Sequence, residues 1–162
     1  MVGVEYLHVR LPLDHCQCAE VWVNGTVGLF DRITGTRRPV QGTVPRSVEE
    51  VRDALLGLGG DPAPFWVREE KTDLVAECRV YRVGVTLRTR MRLQPAECEV
   101  RFLEERWESR SGGGGNKHYG RGYAPAVYWD GKDFRFSTRE MTEPLRDAVL
   151  GAGWTWRGVF RL

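Results

Sequence analysis

Long hydrophobic runs are missing from this 162-residue chain. No stretch approaches the roughly 18 continuous apolar residues that a membrane-crossing helix needs, and no membrane partner is expected. A charge excess is missing too. The 24 Lys and Arg stand against 22 Asp and Glu, a formal net charge of +2, which argues against duplex nucleic-acid binding driven by bulk charge. Cysteine is scarce: Cys16, Cys18, Cys78 and Cys98 are too few and too unevenly spread to form a disulfide framework, so reduced thiols are expected. The first ten residues lack both a basic n-region and an apolar h-region; they alternate apolar and polar and include Glu5, His8 and Arg10. The expected location is therefore the cytoplasm. H-E-x-x-H, G-x-S-x-G and G-x-x-x-x-G-K-[ST] are all absent, which removes the best-known hydrolase and nucleotide-binding signatures.

What is present is the composition of a folded protein, 41% apolar and 28% charged. The small net charge hides an uneven distribution. Residues 79–121 hold ten Lys or Arg against five Glu, so this window is +5 and the rest of the chain is −3. Within it, the five arginines of residues 79–96 precede a stretch, residues 97–108, that holds all five acids. Such segregation predicts pairing across a hairpin.

Alternation of apolar and polar residues predicts a mostly β first third: a strand over residues 5–13, then a hairpin over residues 20–30 turning at Asn24-Gly25. Ser47-Val-Glu-Glu50 is a capping box, and Val48, Val51, Leu55 and Leu58 follow at helical spacing to a stop at Gly59-Gly60. A long β region spans residues 73–93. Val83, Val85, Leu87, Met91 and Leu93 share one face, and Arg82, Arg88, Arg90 and Arg92 share the other. The apolar parity reverses near Tyr81, which predicts a bulge or bend over residues 81–84. The chain should return past Gln94-Pro95-Ala96-Glu97 with Leu93 opposite Cys98. That register sets Arg92 against Glu99 and Arg90 against Arg101, leaving Arg88, Arg90 and Arg101 as an exposed basic patch. A further hairpin turns at Asp130-Gly131, and a helix from Pro144 to Leu150 leads to a last strand over residues 154–162.

The two ends look alike. Residues 51–59 and 145–153 agree at six of nine positions. Val21-Trp-Val-Asn-Gly25 likewise matches Val127-Tyr-Trp-Asp-Gly131, with Phe30 and Phe136 equally far beyond each turn. The expected fold is therefore α+β: a single domain over residues 1–162, built from two pseudo-repeated ββαβ units with mostly antiparallel sheet and two short helices. The repeat-like halves cover about residues 1–70 and 98–162, linked by a basic hairpin over residues 73–107. Residues 32–43 would be an insertion in the first unit.

Three constellations could carry chemistry. His15, Cys16 and Cys18, with Cys78 and Cys98, supply the ligand types of tetrahedral zinc, but the C-x-C spacing lacks the usual knuckle; buried thiols and no cofactor are expected. His118 and Asp130 are the candidates for acid–base catalysis in a small hydrolase or transferase. The third is a loop following Gly112 to Gly115. Arg110, Lys117 and Arg121 offer cations, His118, Tyr119 and Tyr123 offer stacking faces, and the glycines allow close backbone approach. This glycine spacing resembles that of glycine-rich loops in RAMP-type CRISPR RNA-binding subunits, which implies RNA contact; the resemblance stays within the loop, and no membership of that family is drawn from it. Arg88, Arg90, Arg101 and the loop together point to a non-catalytic accessory or assembly subunit that contacts single-stranded RNA or DNA. The alternatives are a protein–protein interaction module within a larger assembly, with its six tryptophans as contact residues, and the small enzyme using His118.

Overall fold

The structure is a computed structural model that describes residues 29–61, 63–81, 84–108, 120–121, 128–131 and 134–162. The strands expected before residue 29, including the Asn24-Gly25 turn, lie outside the described residues. The described elements are α1 (Leu29–Thr34), α2 (Val48–Leu56), β1 (Trp66–Glu70), β2 (Asp73–Val80), β3 (Val85–Gln94), β4 (Glu99–Glu108), β5 (Gly120–Arg121), β6 (Tyr128–Gly131), β7 (Phe134–Ser137), α3 (Arg139–Gly151) and β8 (Thr155–Gly158).

The architecture is α+β. Strands β1 to β5 run in order through one antiparallel, open sheet, and β8 joins it parallel to β4, beside residues 99–102. A parallel neighbour cannot be reached by a tight turn, and the chain between β4 and β8, including α3, makes that return. Strands β6 and β7 form a separate hairpin. The alternation of β3 places Val85, Leu87 and Met91 in the core with Leu74, Ala76 and Cys78 of β2 and Val100 and Phe102 of β4. The helices cover this face with Val51 and Leu55 of α2 and Met141, Leu145 and Val149 of α3. Trp156 of β8 stacks on Phe102 with ring centroids 4.2 Å apart, and the buried Trp154 donates its indole N–H to the Arg46 carbonyl at 2.9 Å.

Helix α2 starts as its capping box predicts. The Glu50 amide donates to Ser47 Oγ at 3.3 Å, and the Ser47 amide donates to Glu50 Oε2 at 3.0 Å. It stops at Leu56, before the glycine pair, and Gly59 has another task. A Cβ there would stand 2.5 Å from the Val67 amide nitrogen, so the missing side chain lets β1 approach the end of the helix.

Several sequence expectations need correction. Phe30 lies in a helix, not at a strand end: Gly35 at φ +69° and a Thr36 amide bonded to the Asp31 carbonyl at 2.8 Å close α1 in a Schellman-like turn. Phe136, its supposed equivalent, lies in β7, so the repeat does not hold at this position. The parity change near Tyr81 marks a complete chain reversal between β2 and β3 rather than a bulge; Gly84 at φ +62° donates to the Tyr81 carbonyl at 3.2 Å. The β6–β7 turn falls between Gly131 and Phe134, leaving Asp130 paired with Arg135. Helix α3 begins five residues before Pro144, which therefore sits inside it. A second S-x-x-E pattern explains the early start: the Ser137 amide donates to Glu140 Oε1 at 3.2 Å, and Ser137 Oγ accepts from the Arg139 amide at 3.3 Å.

The β3–β4 register is the correction with most bearing on function. Pro95–Glu97 form a 3-10 turn and Cys98 takes a left-handed φ of +46°, so the loop absorbs Cys98 and pairing begins at Gln94 with Glu99. Leu93 consequently lies opposite Val100, Arg92 opposite Arg101, Arg90 opposite Leu103 and Arg88 opposite Glu105. A slip of two residues keeps each side chain on its expected face while changing its neighbours.

Candidate functional site

The face of the sheet turned away from α2 and α3 carries rows rich in charged residues, with Val75 and Leu103 buried among them. Residues opposite one another on adjacent strands share a face, so the registers define these rows. One runs Trp66, Glu77, Arg88, Glu105; the next, two residues along, runs Arg68, Val75, Arg90, Leu103; a third runs Glu70, Asp73, Arg92, Arg101, Arg157. Along β3 the arginines recur about every 6.8 Å.

Three buried carboxylates in this layer, Asp73, Glu77 and Glu99, each hold two guanidinium groups. Asp73 accepts from Arg90 Nη2 at 2.6 Å and from Arg92 Nε at 2.7 Å. Glu77 binds Arg68 at 3.2 Å and Arg79 at 2.9 Å, and Glu99 binds Arg101 at 2.6 Å and Arg157 at 2.5 Å. Glu70, on the edge strand, accepts from Arg88 and lies 3.6 Å from Arg68. The layering is vertical as well: Asp73, Glu77 and Glu99 are 3%, 8% and 5% exposed, against 34–51% for the six arginines that they hold. Carboxylates form the floor and guanidinium groups the surface.

The electrostatics follow from this geometry. Burial alone would raise the Asp73 pKa, but hydrogen bonds from Arg92 and Arg90 outweigh it and hold the carboxyl below its ordinary range. The hydrogen bond from Arg88 lowers Glu70 likewise. In these pairs Asp73, Glu77, Glu99 and Glu70 face seven arginines, and Glu105, buried opposite Arg88 on the same face, adds a fifth carboxylate to the layer. The Nε of Arg88 is buried and meets no hydrogen-bond acceptor among the described residues.

The predicted site residues divide into three groups. Arg88, Arg90 and Arg101 do share one face, but each carries a carboxylate partner, so the expected free basic patch is instead an ion-paired layer. Arg121 lies in β5 as the backbone partner of Glu105, which is itself opposite Arg88. The end of the glycine-rich loop thus returns to the sheet level with Arg88, not with Arg92. Arg110, Lys117, His118, Tyr119 and Tyr123 lie outside the described residues, as do His15, Cys16 and Cys18. Asp130 is described through its backbone pairing in β6 alone.

Sequence reasoning missed Arg68, Arg79 and Arg157 as members of this layer, and it gave Arg92 the right face but the wrong partner, Glu99 in place of Asp73. Arg68 and Arg79 stand at alternating strand positions that parity could have revealed. Arg157 could not be found this way, because only the parallel docking of β8 brings it to Glu99.

Two cysteines, Cys78 and Cys98, are described. Burial, reinforced by Glu140, raises the Cys78 thiol to about 11, which keeps it protonated at neutral pH. Cys98 is disulfide-bonded, with its partner outside the described residues, which corrects the expectation of four reduced thiols. Spacing alone does not reveal such pairing. Among the described residues no group of three or more His, Cys, Asp or Glu could hold a metal ion, and no helix is long and apolar enough to cross a membrane.

Compared with known proteins, the chain matches no protein-family model, no curated protein and no solved structure.

Proposed function

We propose that this protein is a non-catalytic binding subunit that contacts single-stranded RNA or DNA across the arginine layer of its sheet, with Gly120 and Arg121 of the glycine-rich segment paired beside the Arg88 end. The observation that carries the reading is the two-to-one sharing of buried carboxylates by outward arginines. A guanidinium that shares its carboxylate keeps donors free for a second anion, and its planar fork suits a phosphate. Regular recurrence along one strand suits the repeated phosphates of an extended polymer. The chain's small net charge favours such a local contact over general duplex association.

The same sharing makes the reading testable without unfolding the protein. Replacing Arg90 leaves Asp73 held by Arg92, and replacing Arg101 leaves Glu99 held by Arg157. In fluorescence anisotropy titrations of a labelled single-stranded oligonucleotide at several salt concentrations, Arg88→Ala, Arg90→Ala and Arg101→Ala should each weaken binding. Each should also flatten the slope of log K against log salt by about 0.7 for every phosphate that the variant no longer neutralises. Wild-type protein that binds neither RNA nor DNA at low salt, or variants with an unchanged slope, would overturn the proposal.

A second reading, a protein-contact module, has its own support. Leu29 and Ile33, one turn apart on α1, and Phe160 beyond β8 are all exposed. It becomes the leading reading if nucleic acid does not bind.

A further inference from the structure

The arginine layer accounts for phosphate contacts but leaves open how the bases of a single strand would be held. The sequence places stacking residues in the loop, at His118, Tyr119 and Tyr123. A different set stands at the β2–β3 hairpin end of the arginine face. Trp66 opens β1 opposite Glu77, on the same face as Arg88, and remains 39% exposed. The Arg79 guanidinium lies over the Trp66 ring, 5.7 Å from its centroid. Glu77 anchors it through Nε and Nη2, both at 2.9 Å, yet the side chain is 51% exposed. Tyr81 follows two residues later, at the head of the hairpin, and is 81% exposed. The hydrogen bonds to Glu77, with a smaller contribution from Tyr81, hold the Arg79 pKa above its ordinary value.

We infer that Trp66, Arg79 and Tyr81 form a nucleobase-stacking platform at the hairpin end of the arginine layer, taking an unpaired base from the strand whose phosphates lie along Arg88 and Arg90. This inference rests on the proposed nucleic-acid function and extends it to base contact. The chemistry is general: bases stack on aromatic rings and on guanidinium planes, and such stacking tolerates any base because each has a π-face. A cation over an indole offers its outer plane to a second flat group, and Tyr81, whose ring packs against little else, can cover that group's edge or face. Phosphate contacts on the neighbouring rows would deliver the base to this position, because Arg88 shares a row with Trp66.

The test uses the full chain and two probes, an oligothymidylate and an abasic oligodeoxynucleotide of equal length, followed by fluorescence anisotropy. Tyr81→Ala and Trp66→Leu should each weaken oligothymidylate binding about tenfold, leave the abasic strand unaffected and leave the salt slope unchanged. Tyr81→Phe, which keeps the ring, should bind as the wild type does. Tyr81 sits on a turn with little buried surface, so its two variants decide the matter even if Trp66→Leu perturbs the edge strand. Equal weakening on both probes, or none on oligothymidylate, overturns the platform while the arginine variants still report on phosphate binding. If wild-type protein binds neither probe, the nucleic-acid function fails, and this inference fails with it.

Discussion

Asp73 shows how a single residue organises the charged layer. It lies at the start of β2, is nearly inaccessible to solvent and receives hydrogen bonds from two arginines of β3. Its folded pKa lies below the ordinary value of 3.8. A depressed carboxyl pKa stabilises the folded state in full above the unfolded value and loses that contribution as pH falls through the lowered one. Asp73→Asn should therefore cost about 2 kcal/mol of stability near neutral pH, the scale of a hydrogen-bonded charge partly screened by solvent. The gap between variant and wild type should shrink as the pH drops below about 4, where Asp73 begins to be protonated in the unfolded chain. Urea unfolding curves across that range check both the cost and its disappearance; a pH-independent gap would mean that the arginine contacts do not stabilise the ionised carboxylate.

At the scale of elements, contact between β8 and the chain around Thr34 decides where the sheet can end. The Arg37 amide donates to the Trp156 carbonyl at 2.7 Å, and the Trp156 amide donates to the Arg37 carbonyl at 2.9 Å. Gly158 then passes so close that an added Cβ would lie 1.7 Å from the Thr34 carbonyl oxygen. Gly60, at φ +108°, has nothing within 4 Å of its missing Cβ. Gly158→Ala should consequently cost more than about 3 kcal/mol, because backbone must move, whereas Gly60→Ala should cost about 1 kcal/mol of conformational strain. Chemical denaturation of the two variants orders them, and the reverse order would contradict the packing of residues 34–37 on β8. These elements also show what was legible beforehand. Strand faces followed from parity alone, since Val85, Leu87 and Met91 had to share a side opposite Arg88, Arg90 and Arg92. The start of α2 followed from local hydrogen-bond chemistry. Register and direction did not, because a two-residue slip at Cys98 preserves every face, and the parallel docking of β8 depends on residues more than fifty positions apart. The candidate site was legible to the same degree: its arginines could be placed on one face, but not their shared carboxylates or Trp66 beside Arg79.

For the whole molecule, the two faces of one sheet do different work. Apolar side chains and the helices α2 and α3 form the core on one side, while paired arginines and buried carboxylates form the other. The central claim is that a single strand of nucleic acid meets that second face. Its most direct test is nuclear magnetic resonance of the labelled protein titrated with a short single-stranded oligonucleotide, following backbone amides and arginine Nε–H groups. Shifts should concentrate at Arg68, Arg79, Arg88, Arg90 and Arg101 and at the backbone of Gly120 and Arg121, with α2 and α3 unmoved. Shifts confined to the helices, or an unchanged spectrum at saturating oligonucleotide, would contradict the claim.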